Sequence, residues 1–298
     1  MKTSQKILII VDAEHDCSGR LPLEVQKAMR LVTDKKATEL TLYCVAFQKY
    51  LHHDFLSLDF NQIQRRQEYC DQLAKNLEGL ATKLRADGYS AFSDVDWSYP
   101  RYESVVGKAN AISADLVIQH CTSYGAAELH HLSNDSWQLI RHCPVPLLLI
   151  KNHAWKENPV VLAAVDPVHS HNKPLTLDNT IMNAATRLSE SIGGQLHVLH
   201  AYAEAARPFA PAGVIQTEHR KAIDKLMSAY PVASEQVHFL DETPIVALEM
   251  VADEFSADVV VMGAISRSRL SEMLIGSTAE KVIDFMSTDI LVIKPAVP

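Results

Sequence analysis

Short hydrophobic runs alternate along the chain with longer stretches in which apolar residues recur every three to four positions. The runs are rich in leucine and β-branched residues and predict strands, whereas the longer stretches have the period of amphipathic helices. One helix is predicted from Asn61 to Arg85, with Ile63, Cys70, Leu73, Leu77, Leu80 and Leu84 on one stripe. The predicted strands lie near residues 6–12, 39–47, 93–98, 114–120 and 146–151, and again near 159–166, 194–202, 235–240, 257–263 and 289–294.

The second half of the chain repeats the first. The stretch ADLVIQHCTSYGAAELHHLSNDSWQLIRHCPVPLLLIK from Ala114 aligns without a gap with ADVVVMGAISRSRLSEMLIGSTAEKVIDFMSTDILVIK from Ala257, and KILIIVD mirrors PVVLAAVD. We therefore predict two α/β domains, residues 1–152 and 158–298, joined by the segment KNHAWKENP. Five strands and four right-handed crossovers predict that each domain is a doubly wound parallel sheet of order 3-2-1-4-5.

This topology predicts where a ligand would bind. In doubly wound sheets ligands lie beyond the carboxyl ends of the strands where the winding reverses, here between the first and fourth strands of each copy. In the second copy the first strand ends at Asp166 and the fourth ends at Gly263. The stretch MGAISRSRLSEMLIGSTAEKV therefore begins where a ligand is expected.

That stretch has two interpretations. Gly263 would let a ligand approach the backbone, and Gly276 would open a helix whose N–H groups favour an anion. Ser277 and Thr278 would add hydroxyl donors, and Arg267 and Arg269 would add positive charge. Alternatively, Ser277 and Glu280 form a capping box, and Gly263 is only a turn. The motifs G-x-x-x-x-G-K-[ST] and G-x-G-x-x-G are absent, so local pattern alone leaves both open.

Composition limits the partners. A net charge of -8 argues against an extended nucleic-acid or anionic-lipid surface, so we expect neither direct nucleic-acid binding nor membrane association. The N-terminus lacks the features of a signal peptide, and no apolar stretch is long enough to span a membrane, so a cytoplasmic location is predicted.

The five cysteines and fourteen histidines do not form a recognised ligand pattern. The cysteines include no C-x-x-C pair and are expected to be buried thiols. The paired histidines, including His169 and His171, have no zinc-site spacing, so we predict no metal site. Covalent catalysis is not indicated either, because no G-x-S-x-G elbow occurs.

The chain resembles the universal stress protein family, and its tandem layout is most similar to the proteobacterial E type. The resemblance rests on an aspartate after the first strand, the fourth strand ADVVVMG, the helix start GSTAEKVI and the final strand DILVIKP. Nucleotide-binding members carry Gly-x-x-Gly, nine residues, then Gly-[Ser/Thr]. Gly263, Gly276 and Ser277 match this motif, whereas Ser266 replaces its middle glycine. The side chain of Ser266 would either crowd the phosphates or donate a hydrogen bond to them. The resemblance implies the adenine-nucleotide alpha-hydrolase-like fold.

The resemblance to this family also implies a ligand. The ligand would be ATP or another adenine nucleotide, and its phosphates could carry a bound Mg²⁺. It would contact Asp166, Gly263, Ser266, Arg267, Gly276, Ser277 and Thr278. By its position alone Asp166 could hold the ribose or a metal, or could only stabilise a turn before Pro167, and the resemblance implies the first role. It also implies that His200 to Tyr202 border the adenine, largely through backbone. The first copy has His120, Ser123, Ser133 and Asn134 in the motif columns and is expected not to bind ATP in the family manner.

The functional hypothesis is a stress-response binding and regulatory protein whose second copy binds the nucleotide. A weak ATPase or nucleotide hydrolase using the same site, and a ligand-free scaffold with two degenerate sites, are the alternatives. The resemblance further implies a role in resistance to DNA damage. Because final strands in this family pair across dimers, PVPLLLIK and STDILVIKP would let the copies form an internal pseudo-dimer, and a homodimer remains open.

Overall fold

The computed structural model describes residues 5–12, 20–48, 60–121, 132–168, 176–204, 213–264 and 277–295. Contacts divide these residues into two compact units. The N-terminal unit contains the described residues up to Cys121 together with Ser133–Ile150, and the C-terminal unit contains Leu132 and the described residues from Lys151 onward.

The N-terminal unit has five parallel strands in the order β3-β2-β1-β4-β5. Its strands are β1 Gln5–Ile10, β2 Thr38–Ala46, β3 Ser90–Trp97, β4 Leu116–His120 and β5 Leu147–Ile150. Its helices are α1 Leu23–Leu31, α2 Phe60–Ala86, α3 Arg101–Ala111 and α4 Asn134–His142. The central strand β1 is apolar and buried from Ile7 to Ile10, as expected for a strand covered by helices on both faces.

The C-terminal unit has the same topology, with five parallel strands in the order β8-β7-β6-β9-β10. Its strands are β6 Val160–Ala164, β7 Gln195–Tyr202, β8 Val237–Asp241, β9 Val259–Gly263 and β10 Asp289–Ile293. Its helices are α5 Leu177–Ile192, α6 Val214–Met227, α7 Pro244–Glu254 and α8 Ser277–Phe285. The predicted order 3-2-1-4-5 is therefore confirmed in each copy.

The predicted elements all occur, with differences at their ends. Strand β3 begins at Ser90, three residues before its predicted start. Ile63, assigned to the buried stripe of α2, is 52% exposed, so that assignment is wrong. With 27 residues α2 is about 40 Å long, whereas the eight residues of β3 span about 26 Å. The first turns of α2 therefore extend beyond the sheet. The later residues of the stripe are buried against it, namely Leu73, Leu77, Leu80 and Leu84.

The repeated Ala-Asp dipeptide joins two strands in each unit. Asp115 accepts the N–H of Lys6 at 2.9 Å, and Asp258 accepts the N–H of Val160 at 2.9 Å. In return the backbone N–H of Asp115 donates to the carbonyl of Lys6, and that of Asp258 donates to the carbonyl of Val160. These carboxylates therefore satisfy backbone donors where the central strands begin.

The start of the C-terminal unit is fixed by a second aspartate. Asp289, which is fully buried, accepts the N–H of Lys151 at 2.8 Å and the indole N–H of Trp155 at 2.7 Å. Asp258 also accepts the N–H of Lys156 at 3.1 Å. The segment predicted as a join is thus bound to the strand starts of this unit.

Candidate nucleotide site

The carboxyl ends of β6 and β9 lie side by side in the C-terminal unit. The two strands pair in register, Val161 opposite Val259 and Ala163 opposite Val261. Asp166 follows β6 after one buried residue, and Gly263 ends β9. The structure thus brings these two predicted site residues to one edge of the sheet, where the winding reverses.

Asp166 is positioned by another acidic residue. Its backbone N–H donates to Oδ1 of Asp178 at 2.9 Å. Asp178 lies in the first turn of α5 and is only 2% exposed, and a carboxylate at a helix N-terminus is stabilised by the helix dipole. The half-buried side chain of Asp166 therefore starts from a fixed backbone.

Gly263 has a packing role that the sequence did not reveal. A Cβ built at this position would lie 2.8 Å from Cδ2 and 3.3 Å from Cγ of Leu177, and 3.3 Å from Cδ1 of Ile181. Leu177 is 1% exposed, so it has little room to move. The missing side chain lets α5 approach β9 closely, and this packing accounts for a glycine here independently of any ligand.

Helix α8 begins at Ser277, in the connection that leads from the carboxyl end of β9 into β10. Its N-terminal N–H groups therefore belong to the same edge of the sheet as Asp166, and such groups favour an anion. Ser266, Arg267 and Gly276 lie outside the described residues, as do the side chains of Ser277 and Thr278. Their predicted contacts stay predictions.

Two histidines lie beneath this edge. His200 is fully buried, with Nδ1 3.0 Å from the carbonyl oxygen of Val165 and Nε2 2.8 Å from Nδ1 of His219. Because a carbonyl only accepts, Nδ1 of His200 donates to it, and Nε2 then accepts from His219. Burial lowers the pKa of His200, which favours the neutral ring in this arrangement. The side chain at position 200 thus links β7 to α6 and to the residue before Asp166.

The equivalent crevice of the N-terminal unit is occupied by its own charges. Nη2 of Arg101, the first residue of α3, lies 2.9 Å from Oδ1 of Asp12, which takes the place of Asp166. Asp135, in the first turn of α4, stands in the column of Thr278, and burial raises the pKa of its carboxyl. A carboxylate and an ion pair therefore lie where the resemblance would place phosphate.

Glu24 is the counterpart of Asp178 in this crevice. It is 4% exposed, and burial raises its pKa from the ordinary value of 4.5 to about 7. Nδ1 of His120, which replaces Gly263, lies 3.9 Å from Oε2 of Glu24. Ser133 caps α4 as predicted, because its hydroxyl accepts the N–H of Ser136 at 3.1 Å. The fold is kept here without the glycines.

Comparison with known proteins identifies the family. Residues 160–294 match the model of the universal stress protein family. Universal stress protein E of Salmonella typhi is 26% identical over 311 residues, which cover 99% of this chain and 96% of that protein. Residues 160–294 therefore belong to the universal stress protein family. The relative extends over both halves, which confirms the predicted resemblance to the tandem E type of this family.

Solved universal stress proteins share the fold. A Pseudomonas aeruginosa UCBPP-PA14 protein so described aligns with a TM-score of 0.78 at 24% identity, covering 99% of this chain and 95% of that one. A universal stress protein from Archaeoglobus fulgidus DSM 4304 gives a TM-score of 0.67 at 19% identity, over 98% of each chain. The expected fold class is therefore confirmed.

The sequence did not reveal several residues of the two crevices. Asp178 and Glu24 each follow the strand-end aspartate by twelve positions, so an alignment extended through Asp166 and Asp12 would have paired them. Arg101 carried no such signal, because Pro244 stands at the equivalent helix start.

Among the described residues no group of three or more His, Cys, Asp or Glu side chains could hold a metal ion. His169 and His171 lie outside them. Of the helices in the described ranges, none is both long and apolar enough to cross a membrane.

Proposed function

We propose that the C-terminal unit binds an adenine nucleotide, ATP or a close relative, in the crevice between β6 and β9, as part of a regulatory role in the stress response. One observation carries the proposal: Asp166, whose backbone is held by Asp178, lies at the winding reversal, where β6 ends beside β9, the strand that precedes α8. A strand-end carboxylate can accept ribose hydroxyls, while a helix N-terminus favours the phosphates.

In this arrangement Asp166 accepts hydrogen bonds from the ribose, and the first N–H groups of α8 bind the phosphates. Gly276 leaves room for the phosphates, Ser277 and Thr278 donate hydroxyl protons, and Arg267 adds positive charge. Ser266, in place of a glycine, donates a further hydroxyl proton. Any Mg²⁺ would be brought by the phosphates and would neutralise part of their charge.

The N-terminal unit does not bind ATP in this way. The Asp12–Arg101 ion pair at 2.9 Å occupies the carboxylate that would hold the ribose. Asp135 and the buried Glu24 would repel phosphate when ionised, and His120 fills the position of Gly263. We propose that this unit, within residues 1–152, supports the nucleotide-binding unit within residues 158–298. An internal pseudo-dimer of the two copies stays a prediction.

Calorimetric titration with ATP, ADP and AMP tests the proposal. A Gly276→Val variant should block the phosphates and abolish measurable ATP binding. Gly107→Val is the matched control, because a Cβ at Gly107 in α3 meets nothing within 4 Å. Absence of binding by the unmodified protein would favour the ligand-free scaffold, and phosphate release over hours would favour the weak hydrolase.

The duplicated aspartate supplies a second matched pair. Asp166→Asn removes the charge that accepts the ribose hydroxyls and should weaken ATP binding about tenfold, as expected for a charge-assisted hydrogen bond worth about 1.5 kcal/mol. Asp12→Asn makes the same change in the other copy and should leave ATP affinity unchanged. Equal effects of the two substitutions would contradict the assignment of the nucleotide to the C-terminal unit.

A further inference from the structure

An aromatic cluster lies at the carboxyl edge of the N-terminal sheet. Phe47 follows β2, Trp97 ends β3, and Ala46 and Trp97 are opposite each other in the paired strands. The rings of Phe47 and Tyr99 stack with centroids 4.6 Å apart, and Phe47 and Trp97 are 6.0 Å apart. Tyr69 of α2 meets Trp97 edge-on at 6.4 Å. We call Phe47, Tyr69, Trp97 and Tyr99 the aromatic platform.

The platform presents an open aromatic face. Tyr99 is 71% exposed although it stacks on Phe47, so a large part of its ring is accessible to solvent. The fold does not require this exposure. At the same edge of the C-terminal unit Tyr202 stacks on Phe239 at 4.5 Å, yet Tyr202 is only 6% exposed. A rigid, supported and exposed ring is suited to stacking against a planar ligand.

The platform adjoins the acidic crevice of the same unit. Tyr99 is two residues before Arg101, whose guanidinium contacts Asp12. Strand β2 separates β3 from β1 in the sheet, and neighbouring strands are about 4.8 Å apart, so the strands that lead to Tyr99 and Asp12 are about 10 Å apart. The chain thus places a stacking surface at the same edge of the sheet as the carboxyl groups of the crevice.

The crevice has more acidic than basic groups. Among the described residues, the acidic groups Asp12, Glu24 and Asp135 face Arg101 and, beside Glu24, the ring of His120. Burial raises the pKa of both Glu24 and Asp135. Oδ2 of Asp135 is buried and accepts no hydrogen bond from any described residue. A ligand that brings N–H donors and positive charge would stabilise these carboxylates, whereas a phosphate would be repelled.

A buried amide gives independent support for a polar ligand. Gln119 of β4 is 4% exposed, and its Nε2 donates to the hydroxyl of Ser136 in α4 at 3.2 Å. Its Oε1 is buried and has no hydrogen-bond partner among the described residues. Because Nε2 contacts Ser136, the residue after Asp135, this unsatisfied acceptor lies near the first turn of α4. Two buried acceptors without a donor among the described residues thus occur in this part of the unit, and a ligand N–H group is a suitable donor for such an acceptor.

We propose that the N-terminal unit binds a planar aromatic amine without phosphate, its ring stacked on Tyr99 and its amino group directed to the crevice of Asp12, Glu24 and Asp135. This site goes beyond the proposed nucleotide function and does not depend on it. The duplicated fold then carries two sites of opposite charge preference, one for an anion and one for a cation.

Two probes that share one ring test the charge preference. Tryptamine carries an ammonium group and indole-3-acetate a carboxylate, and binding of each is measured by calorimetry on the full chain. Tryptamine should bind at least about tenfold more tightly, because reversing the charge of the ligand beside a crevice with an excess of acidic groups costs more than 1.4 kcal/mol, the equivalent of tenfold. Equal affinities, or no binding of tryptamine at millimolar concentration, would overturn the proposal.

Substitutions locate the probe. Tyr99→Ala should weaken tryptamine binding at least about fivefold, the lower range for loss of one stacking partner. The matched control is Phe92→Ala, which removes another exposed aromatic ring, 52% exposed, from β3 outside the platform and should change nothing. Tryptamine binding that is unaffected by Tyr99→Ala would place the probe elsewhere and refute the site.

A third variant connects the probe to the crevice and separates the two proposals. Asp12→Asn should weaken tryptamine binding several-fold, and an unchanged affinity would contradict the proposed position of the amino group. ATP affinity should be the same in Tyr99→Ala as in the unmodified protein. If ATP bound to neither the unmodified protein nor any variant, only the proposed nucleotide site would be refuted. The tryptamine measurements would still decide whether the aromatic-amine site exists.

Discussion

Replacing Glu24 with glutamine should stabilise the protein at alkaline pH. The folded protein raises the pKa of Glu24 from 4.5 to about 7, chiefly because burial penalises the charged carboxylate. The side chain is only 5% exposed, so solvent screens little of this cost. A difference of about 2.5 pKa units corresponds to about 3 kcal/mol between the ionised and protonated states.

The sign follows from proton linkage. Below pH 4.5 Glu24 is protonated in the folded and unfolded chains and carries no penalty. Between pH 4.5 and about 7 the unfolded chain loses the proton first, so the free energy of unfolding falls as pH rises, and above this range the loss is complete. Glutamine keeps the shape of the side chain without the charge and should remove this dependence.

Urea unfolding at pH 5 and pH 8 measures the effect. At pH 8 the Glu24→Gln variant should be about 3 kcal/mol more stable than the unmodified protein, or about 6–12 °C higher in the melting temperature of its unit. At pH 5 the difference should fall to about 1 kcal/mol or less, because most of the range between the unfolded and folded pKa values of Glu24 lies above this pH. Glu249→Gln, at an exposed position of α7, is the matched control and should be neutral at both values. A stabilisation that is absent at pH 8, or equal at both pH values, would refute the reasoning.

Two further substitutions test packing and capping. Gly263→Ala should lower the free energy of unfolding by about 1–3 kcal/mol, because the new Cβ would lie 2.8 Å from Leu177. Adding Leu177→Ala in the same chain should relieve this clash, so a double-mutant cycle measured by urea unfolding should give a coupling energy between the two substitutions. Additive effects of the two substitutions would contradict this contact. Ser133→Ala should cost about 1 kcal/mol through loss of the bond to the Ser136 N–H, without a change in ATP affinity by calorimetry. An unchanged unfolding midpoint would argue against the cap.

The internal repeat made most of the fold predictable. Each strand is a local pattern, and the alignment of Ala114 with Ala257 required both halves to have the same element order. The residues Asp166 and Gly263 could be placed together for the same reason, since parallel strands end at one edge of the sheet. Ile63 shows the limit of periodicity, because a stripe defines one face of a helix but not where the sheet beneath it stops.

The chemistry of the two crevices was less predictable from the sequence. Gly263 suggested a phosphate approach, yet its environment is formed by Leu177, 86 positions earlier in the chain. Arg101 and Asp12 are 89 positions apart, and no spacing rule connects them. His200 contacts Val165 and His219 from a strand whose pattern indicated only burial.

The sequence by itself determined the duplication, the ten strands and eight helices of the described ranges, their order in each sheet and the edge where a ligand would bind. These depend on side-chain periodicity and on the handedness of crossovers, which are local properties of the chain. The tertiary structure alone decided that Glu24 is buried, that Arg101 neutralises Asp12, and that Tyr99 is exposed beside them. Burial and charge pairing depend on residues distant in sequence, so the same fold could give its two copies different sites.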